Sequence, residues 1–198
     1  MTGTERRSAP RNKRRHPLRW LLVLAALAVG GWLWFQWQCW GLQVTHAQAA
    51  LKGLPQGFDG YKIVHLSDLH GHEYGEGNRE LLDRVREQAP DLIVITGDLI
   101  DQKSQLEMAP ALARGLAGIA PTYYVTGNHE WALGTGAVKE LKTLLRECGV
   151  AVLSNQYQVL ERGGDKLALA GVDDPNGYAD QTTPEELYAW IQGEAPGL

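Results

Sequence analysis

The sequence predicts an α/β domain built on a parallel sheet and preceded by one transmembrane helix, and three observations carry that prediction. Asp68, Asp98 and Asn128 stand at intervals of thirty residues, each closing an apolar run of strand character. About thirty residues is the length of one strand-helix-strand unit, and amphipathic helical patterns fill the intervals. The third observation is the segment from Trp20 to Phe35, which contains no charged residue.

The overall charge of -4 conceals two opposite segments. The first nineteen residues hold seven basic groups (Arg6, Arg7, Arg11, Lys13, Arg14, Arg15, Arg19) against the single acid Glu5, whereas the rest carries twelve basic and twenty-two acidic residues. Residues 1–17 therefore read as a basic cytoplasmic arm and residues 18–40 as a membrane-spanning anchor. At about 1.5 Å per residue the anchor is roughly 34 Å long, which matches a hydrocarbon core of about 30 Å with modest tilt. Trp20 at one end and Trp32, Trp34, Trp37 and Trp40 towards the other suit the two interfacial belts. The basic flank predicts a cytoplasmic N-terminus and an extracytoplasmic domain after Gly41. Ala47-Gln48-Ala49 resembles a signal-peptide cleavage site, but it lies about a dozen residues beyond the apolar run, so an uncleaved anchor is the preferred reading. The arm is a topology signal rather than a nucleic-acid patch, and no nucleic-acid partner is expected. His16 and His46 flank the membrane segment and are not site candidates. Cys39 and Cys148 form neither a metal pattern nor a disulfide pair, which argues against cysteine chemistry.

Residues 41–60 read as a linker or an edge strand, with Pro55-Gln56-Gly57 and Asp59-Gly60 marking the turn into the globular part. Tyr61 to Ser67 is the first predicted strand. Asn78 to Gln88 places Leu81, Leu82 and Val85 at helical spacing among charges, and Ala89-Pro90 stops it. Asp91 to Thr96 is a continuous apolar run of the buried parallel kind, broken by Gly97. A second helix is expected around Gln105 to Ile119, where Pro110 forces a late start or a kink. Thr122 to Thr126 is the third strand, and Val138 to Cys148 is a helix with Leu141, Leu144 and Leu145 on one face. Beyond Gly149 come three short runs, Ala151 to Ser154, Tyr157 to Arg162 and Lys166 to Val172. They include the hairpin signal Gly163-Gly164-Asp165 and predict antiparallel strands continuing the sheet. Thr183-Pro184-Glu185-Glu186 is a capping-box pattern with proline at the first helical position, so Leu187 to Gln192 should be helical.

Parallel strands would bring the three repeat ends to one carboxyl edge, where α/β folds place their sites. Asp68 and His70, two apart, can point to one side and ligate one ion. Gly97 lets the backbone turn and present Asp98, whose two carboxylate oxygens can bridge two ions. Asn128 follows Gly127 in the same way and offers a neutral amide oxygen. His129 stands at the rim of the same site, suited to protonate a leaving oxygen. Asp101 reads equally as a helix cap beyond the strand and as the carboxylate that orients His129. His65 alternates with Ile63 and Ser67, faces away from Asp68 and reads as a packed sheet histidine. His72 reads as a solvated loop residue.

Ser67-Asp68-Leu69-His70, Gly97-Asp98-Leu99-Ile100-Asp101 and Gly127-Asn128-His129-Glu130, in this order, resemble the signature of the calcineurin-like metallophosphoesterases. The resemblance covers Tyr61 to Val172, and the basic anchor is similar to the membrane-associated bacterial branch that includes YkuE-like and YaeI-like phosphodiesterases. It implies an α/β/β/α sandwich with a dinuclear centre of divalent ions, drawn from manganese, iron, zinc and magnesium. It would make Asp68 and His70 ligands of the first ion, Asp98 the bridge, Asn128 a ligand of the second and His129 the general acid. The family pattern also has a later lone histidine and a Gly-His-x-His string, whereas this chain has no histidine after His129. That departure predicts a C-terminally truncated form with four of seven ligands and an incomplete second sheet, leaving apolar surface uncovered.

The leading functional reading is thus a membrane-anchored, metal-dependent hydrolase of phosphate esters, with phosphomonoesters, phosphodiesters and lipid-linked phosphates as substrate classes. The alternative is a truncated, non-catalytic half-domain with weak or no metal binding. A third reading, a structural membrane protein whose aspartates cap turns, predicts no effect of metal on thermal stability. None of these readings selects an oligomeric state.

Overall fold

The computed structural model describes residues 17–177 and 181–195. It divides into two units, residues 1–43 and 44–198. In the first, helix α1 runs over Pro17–Trp40, 24 residues. Every described side chain from Leu18 to Phe35 is exposed, and this stretch is long and apolar enough to cross a membrane. The basic arm over residues 1–16 and the side chains of Trp37, Cys39 and Trp40 lie outside what is described.

In the second unit, residues 44–55 form no strand. A short 3-10 turn at Gln56–Phe58 then buries the Phe58 ring. The core follows as β1 (Ile63–Leu66), α2 (Arg79–Glu87), β2 (Leu92–Thr96), α3 (Ala109–Ala117), β3 (Thr122–Val125), α4 (Asn128–Ala132), α5 (Thr135–Glu147) and β4 (Ala151–Val152). The four strands form one parallel sheet in sequence order. Ile63 lies beside Leu92, Ile93 beside Thr122 and Tyr123 beside Ala151. One sequence repeat therefore equals one lateral step across the sheet, and corresponding strand ends come to one edge.

Right-handed crossovers between strands in this order put α2, α3 and α5 on a single face of the sheet. Ile93, Ile95 and Tyr124 are buried. On the opposite face Leu92 and Tyr123 cluster with Leu153, and Leu160 and Leu169 of a second sheet pack against them. That second sheet is the hairpin β5 (Gln156–Arg162) and β6 (Asp165–Gly171). Its two-residue turn, Gly163-Gly164, takes φ values of 62° and 89°, the conformation that suits the twist of a tight hairpin. Helix α6 (Pro184–Glu194) lies along β6, burying Leu187 and Ile191 beside a groove lined by Ala168, Ala170 and Tyr188. The layers are three helices, the parallel sheet, the hairpin and α6.

The structure corrects the expectation of antiparallel strands continuing the sheet. The 13-residue helix α5 is a full crossover, so β4 returns parallel to β3, and only β5 and β6 run antiparallel, in a sheet of their own. Pro110 does delay its helix: a 3-10 turn over Lys103–Glu107 precedes α3, with the proline in the first turn. Helix α5 begins at Thr135, earlier than its leucine pattern indicates, because Gly134 at φ 91° turns the chain into it. The Thr183 and Glu186 box forms, with bonds of 3.2 and 2.9 Å.

Candidate metal centre

The loops leaving β1, β2 and β3 carry the predicted chemistry, and their backbones are not relaxed. Asp68, His70 and Asp98 adopt φ values of 55°, 49° and 50°. A non-glycine residue in this left-handed region costs roughly 1 kcal/mol or more, and such strain gathers at functional sites. Backbone bonds hold it in place. The His70 N–H donates to the Asp98 carbonyl at 2.8 Å, the Gly71 N–H to Leu99 at 2.8 Å and the Asp68 N–H to Gly97 at 3.3 Å. Gly97 itself, at φ 85°, lies so close to Gly127 that a β-carbon would fall 2.2 Å from the Gly127 nitrogen. The second and third loops can meet only through glycine.

Glu130 braces this meeting point, a role its place in the sequence string did not reveal. It is 1% exposed. Its carboxylate accepts N–H bonds from Asp98 (2.9 Å), Leu99 (2.6 Å), Ile100 (3.2 Å) and Gly127 (2.8 Å). The available signal was a glutamate three residues after the glycine that opens α4, the capping-box spacing.

The side chains then converge. Asp101 Oδ1 accepts a hydrogen bond from His70 Nδ1 at 2.6 Å and lies 2.7 Å from His129 Nδ1. A carboxylate only accepts, so His70 Nδ1 carries the proton and its Nε2 is the free nitrogen. Asp101 thus contacts both imidazoles through one carboxylate oxygen. The two rings meet edge to face with centroids 4.6 Å apart. His70 Nε2 faces Asp68 Oδ1 at 3.8 Å. One ligand atom each from Asp68, His70 and Asp98 lie within 4.8 Å of one another, and the same holds for His70, Asp101 and His129. Asp98 Oδ1 also accepts the His129 backbone N–H at 2.9 Å. Asn128 opens α4 on the same edge and is exposed.

This donor set fits a hard or borderline divalent ion. Carboxylate oxygens and an imidazole nitrogen gather within one coordination sphere, and the imidazole's other nitrogen is held by a carboxylate, the usual support of a ligating histidine. The Asp101 hydrogen bond raises the His70 pKa above the ordinary histidine value, against the opposing effect of burial. His65 corrects its expectation: it is exposed rather than packed, and its Nε2 meets Thr96 Oγ1 at 2.6 Å. His72 is half-buried and stacks edge-on against Tyr74.

A buried ion pair lies under the β3 end of the site. Asp173, 5% exposed, accepts the Thr126 N–H at 3.1 Å and hydroxyl at 2.7 Å, while Lys142 Nζ reaches its other oxygen at 2.6 Å. Trp131 Nε1 donates to the same threonine hydroxyl at 2.9 Å. Burial would raise the Asp173 pKa, but the bonds from Lys142 and Thr126 outweigh it and hold the carboxyl below its ordinary value. A depressed folded pKa stabilises above the unfolded value of about 4, and the contribution is lost as pH falls through the folded value. Stability should therefore drop on acidification below about pH 4, and Asp173→Asn, without this titration, should show a shallower acid limb. Guanidinium unfolding of both proteins across the acid range checks this, and identical acid limbs would contradict it.

These features can be set against known proteins. The Bacillus subtilis metallophosphoesterase YkuE, described as uncharacterized, is 37% identical over 128 residues, 61% of this chain and 44% of that protein. A Danio rerio transmembrane protein with a metallophosphoesterase domain is 33% identical over 140 residues, covering 67% and 31%. The Escherichia coli phosphodiesterase YaeI is 31% identical over 119 residues, covering 58% and 44%. The chain spans less than half the length of each of these relatives. The residue pattern of the calcineurin-like phosphoesterases matches residues 61–196, from just before β1 to just beyond α6. With that match extending over all three strand-end loops, the chain belongs to the calcineurin-like phosphoesterase family.

Proposed function

We propose that this chain is a membrane-anchored, metal-dependent phosphoesterase. In this reading Asp68, His70, Asp98 and Asn128 hold a pair of divalent ions, and His129, oriented by Asp101, is the general acid. The observation that supports it most strongly is the single Asp101 oxygen shared by His70 and His129, since it turns one imidazole to a ligand's task and the other to a proton donor's. Divalent ions bound here supply positive charge to a phosphoryl group and lower the pKa of an attacking water. The chain's own residues do the rest. Asp101 keeps the proton on His129 Nδ1, so that a second proton on Nε2 can pass to the departing oxygen, which leaves as an alcohol. Glu130 keeps Asp98 and Gly127 at a fixed separation, and Gly97 allows the close approach.

The named activity of YaeI supports phosphodiesters as a substrate class. The exposed apolar helix α1, the basic arm and the transmembrane relatives support a single-pass anchor with the domain on the extracytoplasmic side, where lipid-linked phosphates are substrates within reach. The second reading is a domain that binds an ion without turnover.

Hydrolysis separates the two. The full chain in detergent micelles with manganese should cleave bis-aryl and aryl phosphates, a chelator should stop it, and His129→Ala should slow it by about 100-fold or more. Wild type and His129→Ala that are equally slow would refute the enzyme reading.

A further inference from the structure

Asp101 can serve both imidazoles only if its own backbone is held, and it sits where the loop after β2 enters the 3-10 turn at Lys103–Glu107. Gln105 provides the hold. Its Oε1 accepts the N–H of Asp101 at 2.7 Å and of Gln102 at 2.9 Å. Two backbone donors on one atom identify it as the oxygen, so the other end of the carboxamide is the nitrogen. That nitrogen donates to the carbonyl oxygen of His70 at 3.2 Å. The carboxamide lies against Gly71, where a β-carbon would come within 2.1 Å of Gln105 Cδ, so the approach requires glycine there.

We propose that Gln105 is a positioning residue of this centre, one carboxamide that ties the His70 turn to the Asp101 turn and so sets how Asp101 meets His70 and His129. The proposal rests on the metal-centre reading for its effect on ion affinity, and on the observed contacts alone for its effect on the rings. A plain cap stops at the N–H groups of its own turn. Gln105 uses its second end on a loop 35 residues earlier. The residue it reaches, His70, holds a left-handed backbone at φ 49° that has to be maintained from outside.

The test uses the full chain in detergent micelles with nitrogen-15 labelled histidine rings, and Gln102→Ala as a substitution in the same turn that does not touch His70. In metal-free protein, Gln105→Ala should shift the ring resonances of both His70 and His129, His70 moving away from the Nδ1-protonated pattern. Gln105→Glu, which keeps the acceptor but sets a carboxylate oxygen against the His70 carbonyl, should do the same. Gln102→Ala should leave both rings in place. With Mn2+ alone as the probe, electron paramagnetic resonance titration should show about tenfold weaker binding in both Gln105 variants and a change within about twofold in Gln102→Ala. Unmoved rings in Gln105→Ala, or equal shifts in the Gln102 and Gln105 variants, would overturn the positioning role. A wild type that binds no Mn2+ would overturn the metal-centre reading, while the ring resonances still decide the role of Gln105.

Discussion

Replacing Glu130 by alanine is expected to destabilise the domain by about 3–5 kcal/mol, a large share of the roughly 5–15 kcal/mol that a folded domain has. Four backbone N–H groups, on Asp98, Leu99, Ile100 and Gly127, lose their acceptor at once. The carboxylate is 1% exposed, so solvent does not simply take its place. Each buried donor left unpaired costs about 1–3 kcal/mol, and partial rearrangement of the loop keeps the total below the sum. Glu130→Gln should fall between wild type and alanine, because its amide keeps one acceptor oxygen but turns an NH2 group toward N–H donors. For a domain of this size the alanine variant should melt roughly 10 °C or more lower. Guanidinium unfolding followed by tryptophan fluorescence measures the change, and a loss under about 1 kcal/mol would mean that the carboxylate is not the brace described.

Asp98→Asn is the second large effect, and it should separate chemistry from stability. The amide is isosteric with the carboxylate, so its oxygen can still accept the His129 N–H now bonded at 2.9 Å, and the tight packing against Gly127 is retained. What disappears is a negative charge at the point where the loops after β2 and β3 meet. Loss of an outer contact to a metal ligand costs roughly 10–100-fold in affinity or activity, so loss of the charge on a proposed direct ligand should cost at least about 100-fold in kcat/KM. Unfolding curves should differ by less than about 1 kcal/mol in the absence of metal. Retained hydrolysis in Asp98→Asn would remove this carboxylate from the mechanism.

The parts of this architecture that could be read from the sequence are those written locally. The thirty-residue spacing translates into register because each strand begins one repeat after its neighbour, Ile63 beside Leu92 and Ile93 beside Thr122. Gly97 and Gly127 mark the turns because the backbones approach too closely for a β-carbon. Pro110, Gly163-Gly164 and the Thr183 box punctuate the chain where their backbone chemistry requires. The direction of β4 was not readable, since a two-residue apolar run has no intrinsic orientation and the crossover through α5 decides it. His65 was misjudged because alternation tells which face a residue occupies but not whether anything covers that face. The braces Glu130 and Gln105 were hidden for another reason. Their distant partners are backbone N–H and C=O groups some 30 to 35 residues away, and every residue type carries those groups, so no side-chain pattern announces that pairing.

Isothermal titration of Mn2+ into the chelator-treated full chain in micelles decides whether the carboxyl edge of the parallel sheet is a divalent-ion site. Saturable binding is expected, lost in Asp98→Asn and kept in His65→Ala, because the His65 imidazole is bonded to Thr96 rather than to the gathered donors. An isotherm without saturation, or one that Asp98→Asn leaves unchanged, would contradict it.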